Sequence, residues 1–336
     1  YTFIDVDFDG NISLRGNNNV RILINGKPSG LVGLSGPQGL RSLPSESIEK
    51  VEVVTSPSAR YSAEGTAGIL NIILKKQNLL GFNGNFNVNL GVPRNEGING
   101  TLNVRNEKVN LFGTVNLSNS ENSGIFFSET NYTRQDLTIE ETNDSDYNNK
   151  NIFFNLGSEY YFDDNTSLTI SGFYKKGDES SFLANVVNDI SRGSISSTNN
   201  RLRDETEMDE SFEYALDFYK DYDKDGQTLS ARISYEESED DGLEDIEDFA
   251  TFPSISESVF EKVSNIDFQK RLLGQIDFIY PIDKETEFEF GYRGNFLERE
   301  TDYDVSFLTD NRYISDPGLS NVFNYKEAVN SFTLIW

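Results

Sequence analysis

From Gly81 onward the chain alternates apolar and polar residues with a period of two, and nothing else in the sequence constrains the fold as strongly. Phe82, Gly84, Phe86, Val88 and Leu90 interleave with Asn83, Asn85, Asn87 and Asn89. Ile98, Gly100, Leu102 and Val104 interleave with Asn99, Thr101, Asn103 and Arg105. Successive strand side chains point to opposite faces, so each run reads as a strand with one apolar and one polar side. Val109, Leu111, Gly113, Val115 and Leu117 mostly follow the rule, with Phe112 on the wrong face. Further runs are Ile152–Phe162, Leu168–Tyr174, Phe212–Phe218, Leu229–Tyr235, Ile266–Tyr280, Phe288–Phe296 and Phe332–Trp336. That makes about ten strands, each near the roughly 9–11 residues a tilted strand needs to cross a bilayer.

The connections alternate in length. Short ones fall at Arg105–Lys108, Asp163–Thr166, Asp221–Gln227 and Pro281–Glu285. Long polar ones fall at about 119–150, 176–210, 237–263 and 299–325. Short turns on one side and long loops on the other are the pattern of an antiparallel outer-membrane barrel. Periodicity alone does not say which face points inward. The loop asymmetry and strand count assign Asn83–Asn89, Glu289 and Arg293 to a wet lumen, and the apolar side to outer-membrane lipid. Clustered aromatics at strand ends (Tyr160, Tyr161 and Phe162; Phe278–Tyr280; Tyr292) read as interfacial girdle residues.

Composition closes off several function classes. Lys and Arg number 29 against 56 Asp and Glu, a net charge of −27. Such a charge repels phosphate backbones, so no nucleic-acid partner is expected. There is no Cys and no His. A disulfide framework, a Cys-ligated zinc, a Ser-His-Asp triad and an HExxH site are therefore excluded. The chain does not read as an enzyme, and a barrel hydrolase could only be carboxylate-based. No cofactor and no resident metal are expected. Disordered acidic chains are poor in aromatics, whereas this one has 25 Phe and 16 Tyr. No run of eighteen apolar residues marks a transmembrane helix, and no signal peptide opens the chain. It starts at Tyr1 rather than Met, which reads as a processed or cut chain.

Residues 1–78 have a different rhythm and read as a small mixed α/β unit. Val20–Ile24 is a strand followed by the turn pair Asn25-Gly26. Gly30, Gly33, Gly36 and Gly39 read as a flexible loop. Leu40–Leu43, Ser45–Ile48 and Pro57–Tyr61 read as single helical turns, Ser45 serving as an N-cap. Val51–Thr55 and Ala67–Leu74 are strands, the latter ending in Lys75-Lys76.

The run LPSESIEKVEVVTSPSARYSAEGTAGILNIILKK, Leu43–Lys76, closely resembles the end of the plug domain of TonB-dependent outer-membrane receptors. The matching residues are the Ile48–Val53 strand with Glu52, the Pro57–Tyr61 turn, Gly65 and Gly68, and Asn71–Ile73. Ile22–Gly30 resembles the plug hairpin of that family. Glu52, Tyr61, Gly65, Gly68, Asn71 and Ile72 are thus expected to form a structural plug signature. Gly65 and Gly68 would allow a tight bend before the last plug strand, and Ile69, Ile72 and Leu74 would fill its core. No ligand residue is assigned. The remainder is similar to the barrel of the large Bacteroidetes-type receptors, on strand rhythm and turns such as DYDKDGQTLS.

The resemblance implies gated import of a scarce nutrient: a ferric chelate, cofactor, glycan or peptide. It also implies an energy-coupling partner acting on an N-terminal segment, a surface lipoprotein partner and an outer-membrane location. The expected organisation is a C-terminal plug part at 1–78 and an N-terminal barrel part at 79–336. The family barrel has about twenty-two strands, so the chain is expected to be a fragment. Geometry agrees: ten strands ~4.8 Å apart and tilted ~40–45° close at a radius of roughly 10 Å. A folded unit of about 75 residues needs a cylinder at least ~15 Å in radius.

Two acidic constellations remain. Asp221-x-Asp223-x-Asp225-Gly226 copies half of an EF-hand loop, but Arg232 stands where the bidentate Glu belongs. It reads as an acidic hairpin turn. Glu236–Asp248 reads as a solvated acidic loop that, with Asp144 and Asp146, could gather divalent cations. The functional alternative is therefore a secreted or surface all-β adhesin with cation-binding acidic loops.

Overall fold

A computed structural model describes residues 4–6, 12–17, 20–24, 48–54, 68–74, 80–283 and 286–335. Among these, every regular element is a β-strand. β1 (Ile4–Val6) pairs antiparallel with β2 (Ile12–Leu14). A three-stranded sheet follows, from β3 (Val20–Ile24), β4 (Ile48–Val54) and β5 (Gly68–Leu74). β5 is central, parallel to β3 and antiparallel to β4.

The expected plug strands thus appear, and two short ones that the sequence did not announce precede them. β4 begins three residues before the expected Val51, so Ile48 is extended rather than the end of a helical turn. The physical reason is its place opposite Leu74 in the β4–β5 ladder. The Asn25-Gly26 turn, the glycine loop, the turns at 40–43 and 57–61, and Tyr61 and Gly65 lie outside the described residues. The described partner of β3 is the distant β5, not a hairpin neighbour.

The second sheet is large and antiparallel. Its strands are β6 (Gly81–Asn89), β7 (Asn95–Arg105), β8 (Val109–Tyr132), β9 (Leu137–Asp163) and β10 (Thr166–Ser191). Then come β11 (Ser194–Asp221), β12 (Thr228–Phe252), β13 (Val259–Pro281), β14 (Glu287–Thr309), β15 (Arg312–Ser315) and β16 (Asn321–Ile335). Neighbours in sequence are neighbours in the sheet, except that β15 and β16 both pair with β14. β6 and β16 edge the sheet and do not pair with each other.

The short turns stand where the sequence put them. Asn106 closes one by accepting from the Lys108 and Val109 amides at 2.8 Å each. Gly226, at φ +80°, turns the EF-hand-like segment into a hairpin closed by Tyr222 N–H to Gln227 O at 2.9 Å.

The long loops are a correction. Residues 119–150, 176–210, 237–263 and 299–325 are mostly strand. β8 and β9 run on to a turn at 133–136, and β10 and β11 to a two-residue turn at Arg192-Gly193. β12 and β13 meet across 253–258, and β14 turns at Asp310-Asn311. β11 has 28 residues, about 90 Å of chain at ~3.3 Å per residue. Beyond the bilayer both faces are wet, so apolar alternation fades while backbone pairing continues. Hydropathy reports the first and is silent about the second.

Candidate functional site

Register decides which side chains share a face. Phe112, Gly157, Ser171, Ala215, Ser234 and Leu273 lie in one row across β8 to β13. The next row toward the long-hairpin end holds Thr114, Asn155, Phe173, Glu213, Glu236 and Arg271. The row on the short-turn side holds Asn110, Glu159, Thr169, Asp217, Arg232, Gln275 and Arg293. This face is polar. The opposite face carries Phe82, Phe86, Leu156, Ile170, Tyr214, Ile233, Ile276 and Phe290, all exposed. The apolar belt lies toward the short-turn end, where lipid would solvate it.

The small sheet identifies the inner face. Ile22, Leu70 and Ile72 share one side of it and form a buried cluster that includes Phe112 of the large sheet. Phe112, the residue on the wrong face, is 8% exposed. Its ring lies over Gly157, where an added Cβ would stand 2.2 Å from Phe112 Cζ. Leu23 and Ile69, on the other side of the small sheet, are buried as well.

The signature residues divide. Glu52 and Asn71 are directly opposed in β4 and β5, and Asn71 Nδ2 donates to Glu52 Oε2 at 2.9 Å. Lys50 pairs with the same carboxylate at 2.7 Å. Lys50 first, then Asn71, hold the Glu52 carboxyl below its ordinary value. Ile72 is buried, and Gly68 opens β5 at φ +153°, a backbone angle suited to glycine. Of the expected core residues, Ile69 and Ile72 are buried but on opposite faces of β5, so they do not share one layer.

The inner wall holds a charge network that sequence reading missed. Arg232 donates to both Asp217 oxygens at 2.9 and 3.0 Å, and to Glu213 at 2.7 Å. The signal was available: acids two or four residues from a strand's polar positions, facing an arginine on the next strand. Tyr161 is a second correction. It turns inward, under the Arg105 guanidinium at 4.4 Å, while Tyr160 and Phe162 face outward and stack edge-on at 5.1 Å. Strict alternation forbids three consecutive residues from joining one girdle.

Above the plug contact, Phe153 and Phe173 form an inner-face aromatic pair with centroids 6.1 Å apart. Higher still, Asp209, Asp240 and Asp267 lie in one row. Lys175 pairs with Asp209 at 2.7 Å, and Arg299 forks onto Asp267. Burial, then neighbouring carboxylates, raise the Glu207 and Asp240 carboxyls. The expected acidic loop Glu236–Asp248 is instead part of β12, paired on both sides. Among the described residues no group of three or more acids is arranged to hold a metal ion.

Residues 5–69 match the TonB-dependent receptor plug domain, and residues 220–332 match the outer membrane protein beta-barrel family. The chain belongs to the TonB-dependent outer-membrane receptors. Its compartment is the outer membrane. Among solved structures it is similar to the ferric yersiniabactin uptake receptor of Yersinia pestis, at 13% identity and a TM-score of 0.43. That match covers 96% of this chain and 55% of the other, so the receptor chain spans about half that protein's length. It is also similar to a siderophore receptor of Pseudomonas aeruginosa, at 12% identity and a TM-score of 0.21, over 99% of this chain and 88% of that one.

Proposed function

We propose that this receptor binds a scarce nutrient outside the cell and admits it through the wall by rearrangement of its plug. The observation that carries the reading is the seat of the small sheet on the polar face, at Phe112, while the apolar face stays open to lipid. Residues 1–78 supply part of the plug and 79–336 part of the barrel. Eleven strands close too tightly around such a plug, so the sheet is read as one section of a wider wall.

Ligand enters from the long-hairpin side and meets the inner wall above the plug, where Phe153 and Phe173 offer flat apolar surface. An energy-coupling protein then pulls on the plug from the periplasm, and a surface lipoprotein assists capture. Glu52, Tyr61, Gly65, Gly68, Asn71 and Ile72 shape the plug rather than contact ligand. The ligand is a ferric chelate, cofactor, glycan or peptide. The acidic upper wall disfavours strongly anionic members of that set, because like charges repel at long range.

The test is energised uptake by cells carrying or lacking the receptor, using labelled ferric chelates, a corrinoid, oligosaccharides and oligopeptides. Receptor-dependent accumulation that a protonophore abolishes is expected for one class. Equal uptake with and without the receptor across the panel would defeat the reading.

A further inference from the structure

The inner wall around Phe112 is polar or bare. Its cross-strand partners are Asn103 and Gly157, and its same-face neighbours along β8 are Asn110 and Thr114. A phenyl ring there would normally stand in water. Instead it is nearly fully buried, because the cluster of Ile22, Leu70 and Ile72 closes over it. Among the described residues, Phe112 is that cluster's single member from the wall. Gly157 makes the seat possible: an added methyl would lie 2.2, 2.4 and 2.9 Å from three ring carbons.

We propose that Phe112 is a latch that fixes the plug sheet against the barrel wall, with Gly157 as its socket. Any movement that carries β3 and β5 away from the wall re-exposes the ring, and that exposure opposes release. Phe112 is thus a positioning residue for gating. The gating role rests on the import reading above, whereas the latch itself is a property of the resting receptor.

The test is amide hydrogen exchange on the full receptor in detergent or bilayer, without ligand or energy source. Phe112→Ala is expected to speed exchange in β3 and β5 about 100-fold, the scale of cutting a buried aromatic to alanine. Strands β12 and β13 should keep their protection and so report that the wall is folded. Gly157→Ala, which leaves the phenyl ring present but unseated, should act in the same direction. Phe112→Leu should restore most of the protection. Unchanged exchange in β3 and β5 would overturn the latch. So would an equal loss in β12 and β13, since Phe112 would then belong to the wall's own packing. Uptake is measured separately, so a latch without gating and a receptor without a latch give different results.

Discussion

Asn71 donates its side-chain amide to Glu52 across 2.9 Å, between residues that face each other in adjacent plug strands. Both were singled out from the sequence, 19 positions apart. The pairing gives Glu52 a pH signature. Its carboxyl is held low by Lys50 and then by Asn71, so its stabilisation is present above the ordinary carboxylate range and is lost as pH falls through the depressed value. Protection of β4 and β5 should therefore weaken on acidification below about pH 5. Glu52→Gln should flatten that dependence while costing under about 1 kcal/mol at neutral pH, since the pair is largely exposed. An unchanged acid profile in the variant would refute the assignment.

Two consecutive residues report the orientation of the wall. Ile170 is exposed on the apolar face, whereas Thr169 lies on the inner face between Glu159 and Asp217. Ile170→Arg should cost ~2–4 kcal/mol of folding stability in lipid, and Thr169→Arg no more than ~1. Urea titrations of the receptor refolded into vesicles would measure both, and the reverse order would mean the faces are exchanged.

Arg232 neutralises the buried carboxylate of Glu213 and the partly buried one of Asp217. Arg232→Met removes the guanidinium that Glu213 and Asp217, on one face of β11, share, and should destabilise by ~3–5 kcal/mol. Adding Glu213→Gln and Asp217→Asn should recover most of that loss, because no charge is then stranded. Thermal unfolding in detergent compares the two; a triple variant no more stable than the single one would show that packing, not charge, is at stake.

The long hairpins should resist proteases along their length. Cleavage is expected at 133–136, 192–193, 253–258 and 310–311, where pairing ends, and not across 139–150 or 198–210, where ladders continue on both sides. Mass mapping of limited digests on whole cells decides this. Gly193→Ala, at φ +76° beside Arg192 at φ +52°, should cost about 1 kcal/mol and enhance cutting at that tip.

Acid should affect the upper wall in the opposite sense to Glu52. Glu207 and Asp240 have raised carboxyls, by burial first and then by Asp240, Glu179, Glu205 and Asp209 around one, and Asp209 and Asp267 around the other. Lys175 opposes the shift at Asp240. Their contribution is full below the ordinary carboxylate value and is lost as pH rises through the raised one. Exchange protection in the upper parts of β11 and β12 should rise as pH falls from neutral toward the ordinary carboxylate range. Asp240→Asn should remove part of that rise, and a pH-independent wild-type profile would contradict it.

Much of the architecture was legible locally. A two-residue period needs only neighbouring side chains, so ten wall strands, their short turns and both faces could be read from one dimension. The plug strands were legible because Ile48–Val53 and Asn71–Ile73 form a distinctive run. Other features depended on pairing across distance. The upper strands carry polar residues on both faces, so nothing in their hydropathy separates an extended ladder from a loop; only the register with neighbouring strands does. Arg232 looked like a misplaced residue in a calcium motif until β11 set Glu213 and Asp217 beside it.

Phe112 marks the boundary between the two kinds of information. By itself the sequence determined that this aromatic breaks the alternation, and therefore that it points away from lipid. Tertiary structure alone decided why this is stable, by bringing a glycine 45 positions along the chain under the ring and the apolar cluster of the plug over it. A side chain's direction is set by its own backbone, but its solvent is set by whatever the rest of the chain places there.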